Sequence, residues 1–193
     1  MASKIIFASS NKHKLAEIKA MLPERYELMS LEDMHYTDEI EETGATLEEN
    51  AAIKAGTIYD VFGITCFADD SGLEVEVLDG QPGVKSARYS GVPVHEERNI
   101  ELLLRNLDGQ KNRRARFRTV ICLKMESGTF FFEGSIPGYI TEKPRGNNGF
   151  GYDPVFQPEG YTSTFAELMP EEKNKISHRK IALRKMVDFL QYV

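Results

Sequence analysis

Only two cysteines, Cys66 and Cys122, occur in this chain of 193 residues, and both lie inside apolar runs. With no secretory signal, that excludes a disulfide framework and reads as reduced core thiols. No stretch approaches the roughly 18 apolar residues needed to cross a bilayer. Positive charge is in deficit as well: 24 Lys and Arg face 30 Asp and Glu, for a net charge of −6. That balance argues against a generic nucleic-acid or membrane-surface binder. A small anionic ligand then requires a local basic pocket or a metal that overrides the global field. Internal repeats and low-complexity tracts are missing. Lys4 to Ala8 already reads as a first strand, so no cleavable leader is expected, and the expected location is cytoplasmic. What remains is one domain over residues 1–193, long enough to bury a core without staples.

Ile5 to Ala8 is expected as a strand and Ser9-Ser10-Asn11 as a helix cap. Leu15, Ile18, Met21 and Leu22 then share one helix face, and Pro23 stops the helix. Tyr26 to Leu31 reads as a second strand and residues 32–45 as an acidic loop. Thr46-Leu47-Glu48-Glu49 is a capping box. Leu47, Ala51, Ala55, Ile58 and Phe62 line the helix that follows, up to Gly63. Ile64 to Ala68 is a strand leading to two acids, and Leu73, Val75 and Val77 alternate with Glu74 and Glu76 as a half-exposed strand. Residues 94–107 form a helix, and residues 115–126 a long strand that Ser127-Gly128 turns into Thr129 to Ile140. A last helix starts near Ser177, with Ala182, Met186, Phe189 and Val193 on one stripe. Early strand–helix alternation and a central hairpin predict an α/β fold with a mixed sheet.

The most informative stretch is Phe67-Ala68-Asp69-Asp70-Ser71-Gly72-Leu73. An apolar strand that ends in paired carboxylates has a desolvation cost to offset, and a divalent cation offsets it. Magnesium is usually held by one or two carboxylates plus substrate phosphates. A plain Asx turn after a strand is the bland alternative.

Other segments can be read either way. Ser9, Ser10, Asn11, Lys12, His13 and Lys14 open a helix, where backbone N–H groups face anions, yet a capped surface helix has the same composition. This is no Walker A loop, because the Gly-Lys-Ser/Thr ending is absent. Glu41 to Gly44, with Glu48, Glu49, Asn50 and Lys54, is either a carboxylate–ammonium site or a solvated acidic loop beside a helix. The loop from Gly146 to Pro154 has three glycines and presents Phe150, Tyr152 and Asp153. Either aromatic can stack on a flat ring, or both can dock on the core. Lys173, Ser177, His178 and Arg179 place cations at a helix start, where they oppose the dipole.

Taken in order, these motifs resemble the inosine triphosphate pyrophosphatases. That family shows Asn-x-x-Lys after the first strand, Glu-x-x-Gly, Glu-Asn-Ala-x-x-Lys-Ala and Ala-Asp-Asp-Ser-Gly-Leu. It continues with Pro-Gly-x-x-Ser-Ala-Arg-Tyr, Gly-Phe-Gly-Tyr-Asp-Pro and Glu-Lys-x-x-x-Ser-His-Arg. Here they stand as Asn11 and Lys14, Glu41 to Gly44, Glu49 to Ala55, Ala68 to Leu73, Pro82 to Tyr89, Gly149 to Pro154, and Glu172-Lys173 with Ser177 to Arg179. Ser9-Ser10 replaces the family's Thr-Gly, which puts the path of the first loop in question.

The resemblance implies hydrolysis of ITP, dITP or XTP to monophosphate and pyrophosphate, with Mg²⁺, by a homodimer. It implies a two-lobed domain around a long mixed sheet, with the site in the cleft between lobes. It casts Asp70 as general base and metal ligand, Asp69 as its support and Glu41 as the second metal carboxylate. Ser9 to Lys14, Lys54 and Ser71 become triphosphate contacts. Phe150, Gly151, Tyr152, Asp153, Lys173, His178 and Arg179 become the base pocket. A pyrophosphatase for other nucleotides and a silent nucleotide-binding module are the rival readings. A nucleic-acid binder is disfavoured by the acidic balance.

Overall fold

The computed structural model describes residues 3–192. In chain order the elements are β1 (Ser3–Phe7), α1 (Lys12–Met21), β2 (Tyr26–Met29), α2 (Leu47–Phe62), β3 (Cys66–Val75), α3 (Glu96–Asn106), β4 (Arg114–Met125), β5 (Gly128–Ile140), β6 (Phe156–Pro158), α4 (Pro170–Ile176) and α5 (His178–Phe189). One six-stranded sheet has the order β2-β1-β3-β4-β5-β6. β1 pairs in parallel with β2 and β3, whereas β5 and β6 are antiparallel, so the sheet is mixed as the α/β reading expects.

The chain divides into two compact units. The first is residues 1–70, 119–134 and 180–193, and the second is residues 71–118 and 135–179. In the first unit the sheet is buried on both faces. Ile5, Phe7, Phe67, Ile121 and Leu123 meet Ile18 of α1 and Ala182, Leu183 and Met186 of α5. The alternate residues Ile6, Ala8, Cys66, Ala68 and Cys122 meet Ala51, Ala55 and Ile58 of α2. Double coverage explains why these strands read as apolar runs rather than as alternation.

In the second unit one sheet face packs against α3 through Leu73, Val75, Ala115, Phe117, Ile100 and Leu103. The alternate positions are charged, with Arg116 Nε 2.6 Å from Glu74 Oε2. The stripe expected on the last helix is seen at Ala182, Met186 and Phe189, while Val193 lies outside the described residues. Val77, expected in a strand, sits in a single 3₁₀ turn, Glu76–Leu78.

Burial pushes the Cys66 thiol up to about 12 and the Cys122 thiol up to about 11. Folded protein at pH 8 is therefore expected to resist iodoacetamide at both positions, because only on the order of one thiol in 10³–10⁴ is ionised there. Both should label in denaturant, followed by mass spectrometry. Rapid labelling of the native protein would contradict a closed two-faced sheet.

Candidate active site

β3 runs without a break through Asp69, Asp70, Ser71 and Gly72, so the Asx turn does not form. The division between the units falls between Asp70 and Ser71. The expected site residues accordingly form two clusters, one within each unit.

In the first unit Asp69 and Asp70 are buried, at 0% and 7% exposure. Two cations make that tolerable. Lys14 Nζ, one turn into α1, lies 3.1 Å from Asp69 Oδ2. Lys54 Nζ lies 3.8 Å from Asp70 Oδ1 and donates to Glu42 Oε1 at 2.5 Å. Asn50 Nδ2 donates to Asp70 Oδ2 at 3.1 Å, and its own Oδ1 accepts the Gly44 N–H at 2.8 Å. Asn50 and Lys54 are four apart on α2, so one helix face delivers both to Asp70. The start of α2 is fixed by Thr46 Oγ1, which accepts the Glu49 N–H. The Glu49 carboxylate reaches back to the Ala45 N–H rather than to Thr46, one residue beyond a strict capping box.

Burial raises the Asp70 carboxyl above its ordinary range, and Glu42 adds to the rise, while Lys54, Lys14 and the Asn50 hydrogen bond oppose it. For Lys54, burial alone would lower the ammonium. The carboxylates of Asp70, Asp69 and Glu42 outweigh it and raise its pKa instead.

Glu41, expected as the second metal carboxylate, is solvent-exposed, and its half-buried neighbour Glu42 is the acid that stands against Lys54. At the first loop Asn11 Oδ1 caps α1, accepting from the N–H groups of His13 and Lys14. Ser9 is half-buried, and Ser10, Asn11, Lys12 and His13 are exposed. Among the described residues only His35 and Asp79 are non-glycine residues with positive φ, so Ser10 does not need glycine's freedom.

In the second unit Lys173 Nζ is 2.6 Å from Asp153 Oδ2, with both side chains buried. The same carboxylate oxygen accepts the Phe150 N–H at 2.9 Å. Gly149 sits beside it at φ +78°, and a Cβ there would collide with Asp153 Oδ2. Lys173 Nζ stands 4.9 Å from the centre of the Phe150 ring, and the Arg179 guanidinium 5.9 Å from it. Arg179 is 2% exposed and donates to Ser71 Oγ at 3.3 Å. His178 stacks on Phe117 at 4.8 Å and 8°. Gly151 donates its N–H to Glu96 Oε2 at 2.8 Å. Tyr152 is buried and its hydroxyl donates to the Ser86 carbonyl at 2.9 Å, so of the two loop aromatics only Phe150 retains an accessible face. A cavity of about 360 Å³ in this unit, lined by Glu74, Arg114, Arg116 and Tyr139 among others, includes none of these residues.

Sequence reasoning named the segments that hold Glu42 and Asn50 as a possible carboxylate–ammonium site but gave neither residue a role of its own. The four-residue spacing of Asn50 and Lys54 was available as a signal; the choice between adjacent Glu41 and Glu42 was not.

The first cluster offers only hard carboxylate oxygens, with no thiol or imidazole, which is the donor set magnesium prefers. Among the described residues no three acid, histidine or cysteine side chains already close on one point. Two carboxylates that leave room for phosphate oxygens fit that ion better than a closed cage would.

Residues 5–189 match the model of the Ham1 family. A dITP/XTP pyrophosphatase of Flavobacterium psychrophilum is 50% identical over 188 residues, covering 97% of this chain and 99% of that protein. A dITP/XTP pyrophosphatase of Bacillus licheniformis is 52% identical, covering 95% of each. The solved Ham1 protein of Staphylococcus aureus superposes with a TM-score of 0.90 at 39% identity, covering 98% of each chain.

Proposed function

The chain belongs to the Ham1 family, and on that premise we propose that it hydrolyses noncanonical purine nucleoside triphosphates, dITP, ITP and XTP, to the monophosphate and pyrophosphate. One observation supports the chemistry above the rest: two lysines converge on the buried Asp69 and Asp70 and the half-buried Glu42. Such a charge array is costly in a bare protein and suits a metal–triphosphate.

We assign to Glu42, with Asp70, the metal-holding role expected of Glu41. A magnesium ion held there would neutralise charge on the phosphate oxygens. Asp70 orients the attacking water and takes its proton as it adds to the α-phosphorus. A carboxyl raised by burial is a better base than an ordinary aspartate. Asn50 holds one oxygen of Asp70, which aims the other. Lys14 and Lys54 stabilise the charge that grows on the departing pyrophosphate.

Lys173, His178 and Arg179 are donors for the purine 6-oxo group, and Phe150 offers the stacking face. Adenine puts an amino donor at that position, so donors would face donors and remain unpaired, which is the strong form of rejection. A cytoplasmic homodimer completes the proposal; light scattering behind size exclusion tests the dimer.

Pyrophosphate release from a panel of dITP, XTP, ATP, GTP, CTP and UTP tests the whole reading. Turnover of dITP and XTP far above ATP and GTP is expected with magnesium, and none with a chelator. Equal turnover of every triphosphate would remove the base-pocket assignment. Absence of turnover with magnesium would leave a nucleotide-binding module.

A further inference from the structure

Ser86 sits in a 3₁₀ turn, Gly83–Arg88, at 8% exposure. Its hydroxyl and its carbonyl tie this turn to other segments of the second unit. Its hydroxyl donates to the Gly83 carbonyl at 2.6 Å and accepts the Leu73 N–H at 2.9 Å, the full use of one proton and one lone pair. Its carbonyl accepts the Tyr152 hydroxyl at 2.9 Å and lies 3.5 Å from Asn99 Nδ2. Asn99 secures the rest of the turn, donating to the Ala87 carbonyl at 2.9 Å and accepting from the Ser90 N–H at 2.7 Å. The backbones of Gly72 and Gly83 approach so closely that a Cβ on Gly72 would lie 2.5 Å from the Gly83 oxygen.

Two arms therefore leave Ser86. One ends on Gly72-Leu73, immediately after Ser71, which holds Arg179. The other ends on Tyr152, two residues from Phe150 and one from Asp153. The Tyr152 ring is 4% exposed, too buried to offer a stacking face.

We propose that Ser86 and Tyr152 are positioning residues for purine recognition: the Tyr152 hydroxyl and the Ser86 residue fix the spacing between the Ser71–Arg179 pair and the Phe150–Lys173 pair. This rests on the functional reading above. Tyr152 acts through Phe150 and Asp153, and Ser86 through Ser71 and Arg179.

The test compares wild type with Tyr152→Phe, Ser86→Ala and the double variant. Read out are kcat and KM for dITP, calorimetric affinity for IMP and for pyrophosphate, and Tm. Tyr152→Phe removes one oxygen and adds nothing, so it keeps the test available even where Ser86→Ala folds poorly. Each single variant is expected to raise KM for dITP and the Kd for IMP about fivefold, the fold-change one neutral hydrogen bond is worth. Affinity for pyrophosphate should not move. The double variant should be no worse than the weaker single, because releasing either arm frees the same spacing. Lower Tm with unchanged KM and IMP affinity would overturn the proposal and leave the network as scaffold. Wild type that neither turns over dITP nor binds IMP would overturn the functional reading, and this inference with it.

Discussion

Asp70→Asn is expected to lower kcat/KM for dITP by about 10²–10⁴-fold, the usual worth of a general base, while Tm at neutral pH stays level or rises. The two halves of that expectation have one cause. Burial raises the Asp70 carboxyl, with Glu42 adding to the rise and Lys54, Lys14 and Asn50 opposing it. A carboxyl whose folded pKa exceeds its unfolded value of about 3.9 binds more protons in the folded state. Stability is then lost as pH rises from the unfolded pKa through the folded one. Asparagine carries no charge at any pH, so the variant escapes that loss. Lys54 retains Glu42 as a partner, and Asp69 remains among the charges that favour its ammonium. Thermal scans from pH 4 to 8 should show the variant gaining on wild type as pH rises. The acid limb of kcat/KM for wild type, set by Asp70, should lie above the ordinary aspartate range. A variant keeping more than about a tenth of wild-type activity would remove Asp70 as the base.

Lys173→Met is the second large effect, and it falls on stability as well as on recognition. The Asp153 side chain is 4% exposed, with Lys173 Nζ at 2.6 Å. Removing one member of a buried ion pair costs about 3–5 kcal/mol. The Phe150 N–H remains on the carboxylate but carries no charge. In a chain of this size that corresponds to a Tm drop of roughly 6–20 °C. Lys173→Met with Asp153→Asn should recover most of the loss. Urea denaturation of the two variants decides the point. A single variant within about 2 °C of wild type would show the pair to be solvated rather than buried.

Much of this was legible from local pattern. β1, the cap of α1, the apolar face of α2 and the long β4–β5 hairpin follow from periodicity and turn chemistry within each segment. The acids of β3 were less so. Two aspartates, a serine and a glycine carry every local mark of a strand end, and the strand continues because Lys14, Lys54 and Asn50, remote in sequence, neutralise and bind them. β6 and α4 went unread, being three and seven residues long and too short for a period to declare itself. Glu41 and Glu42 are chemically identical neighbours in a loop, and only the path that ends with the Gly44 N–H on Asn50 turns one of them toward Lys54. Ser86 was visible only as part of a motif, since the bonds that define it reach to Leu73 and Tyr152.

The packing of β1 against α5 also dictates an order of events at the ribosome. Ile5 and Phe7 are made long before Ala182, Leu183 and Met186, yet they fill one core. At about 5–20 residues per second the first strand waits on the order of ten to forty seconds for its cover. Every residue of the second unit is synthesised in that interval. Until α5 is made, the inner apolar face of the first strand has only α1 to cover it, and the rest is a surface of the kind holdases bind. A premature stop before α5 yields a standing chaperone client rather than a slightly shortened enzyme.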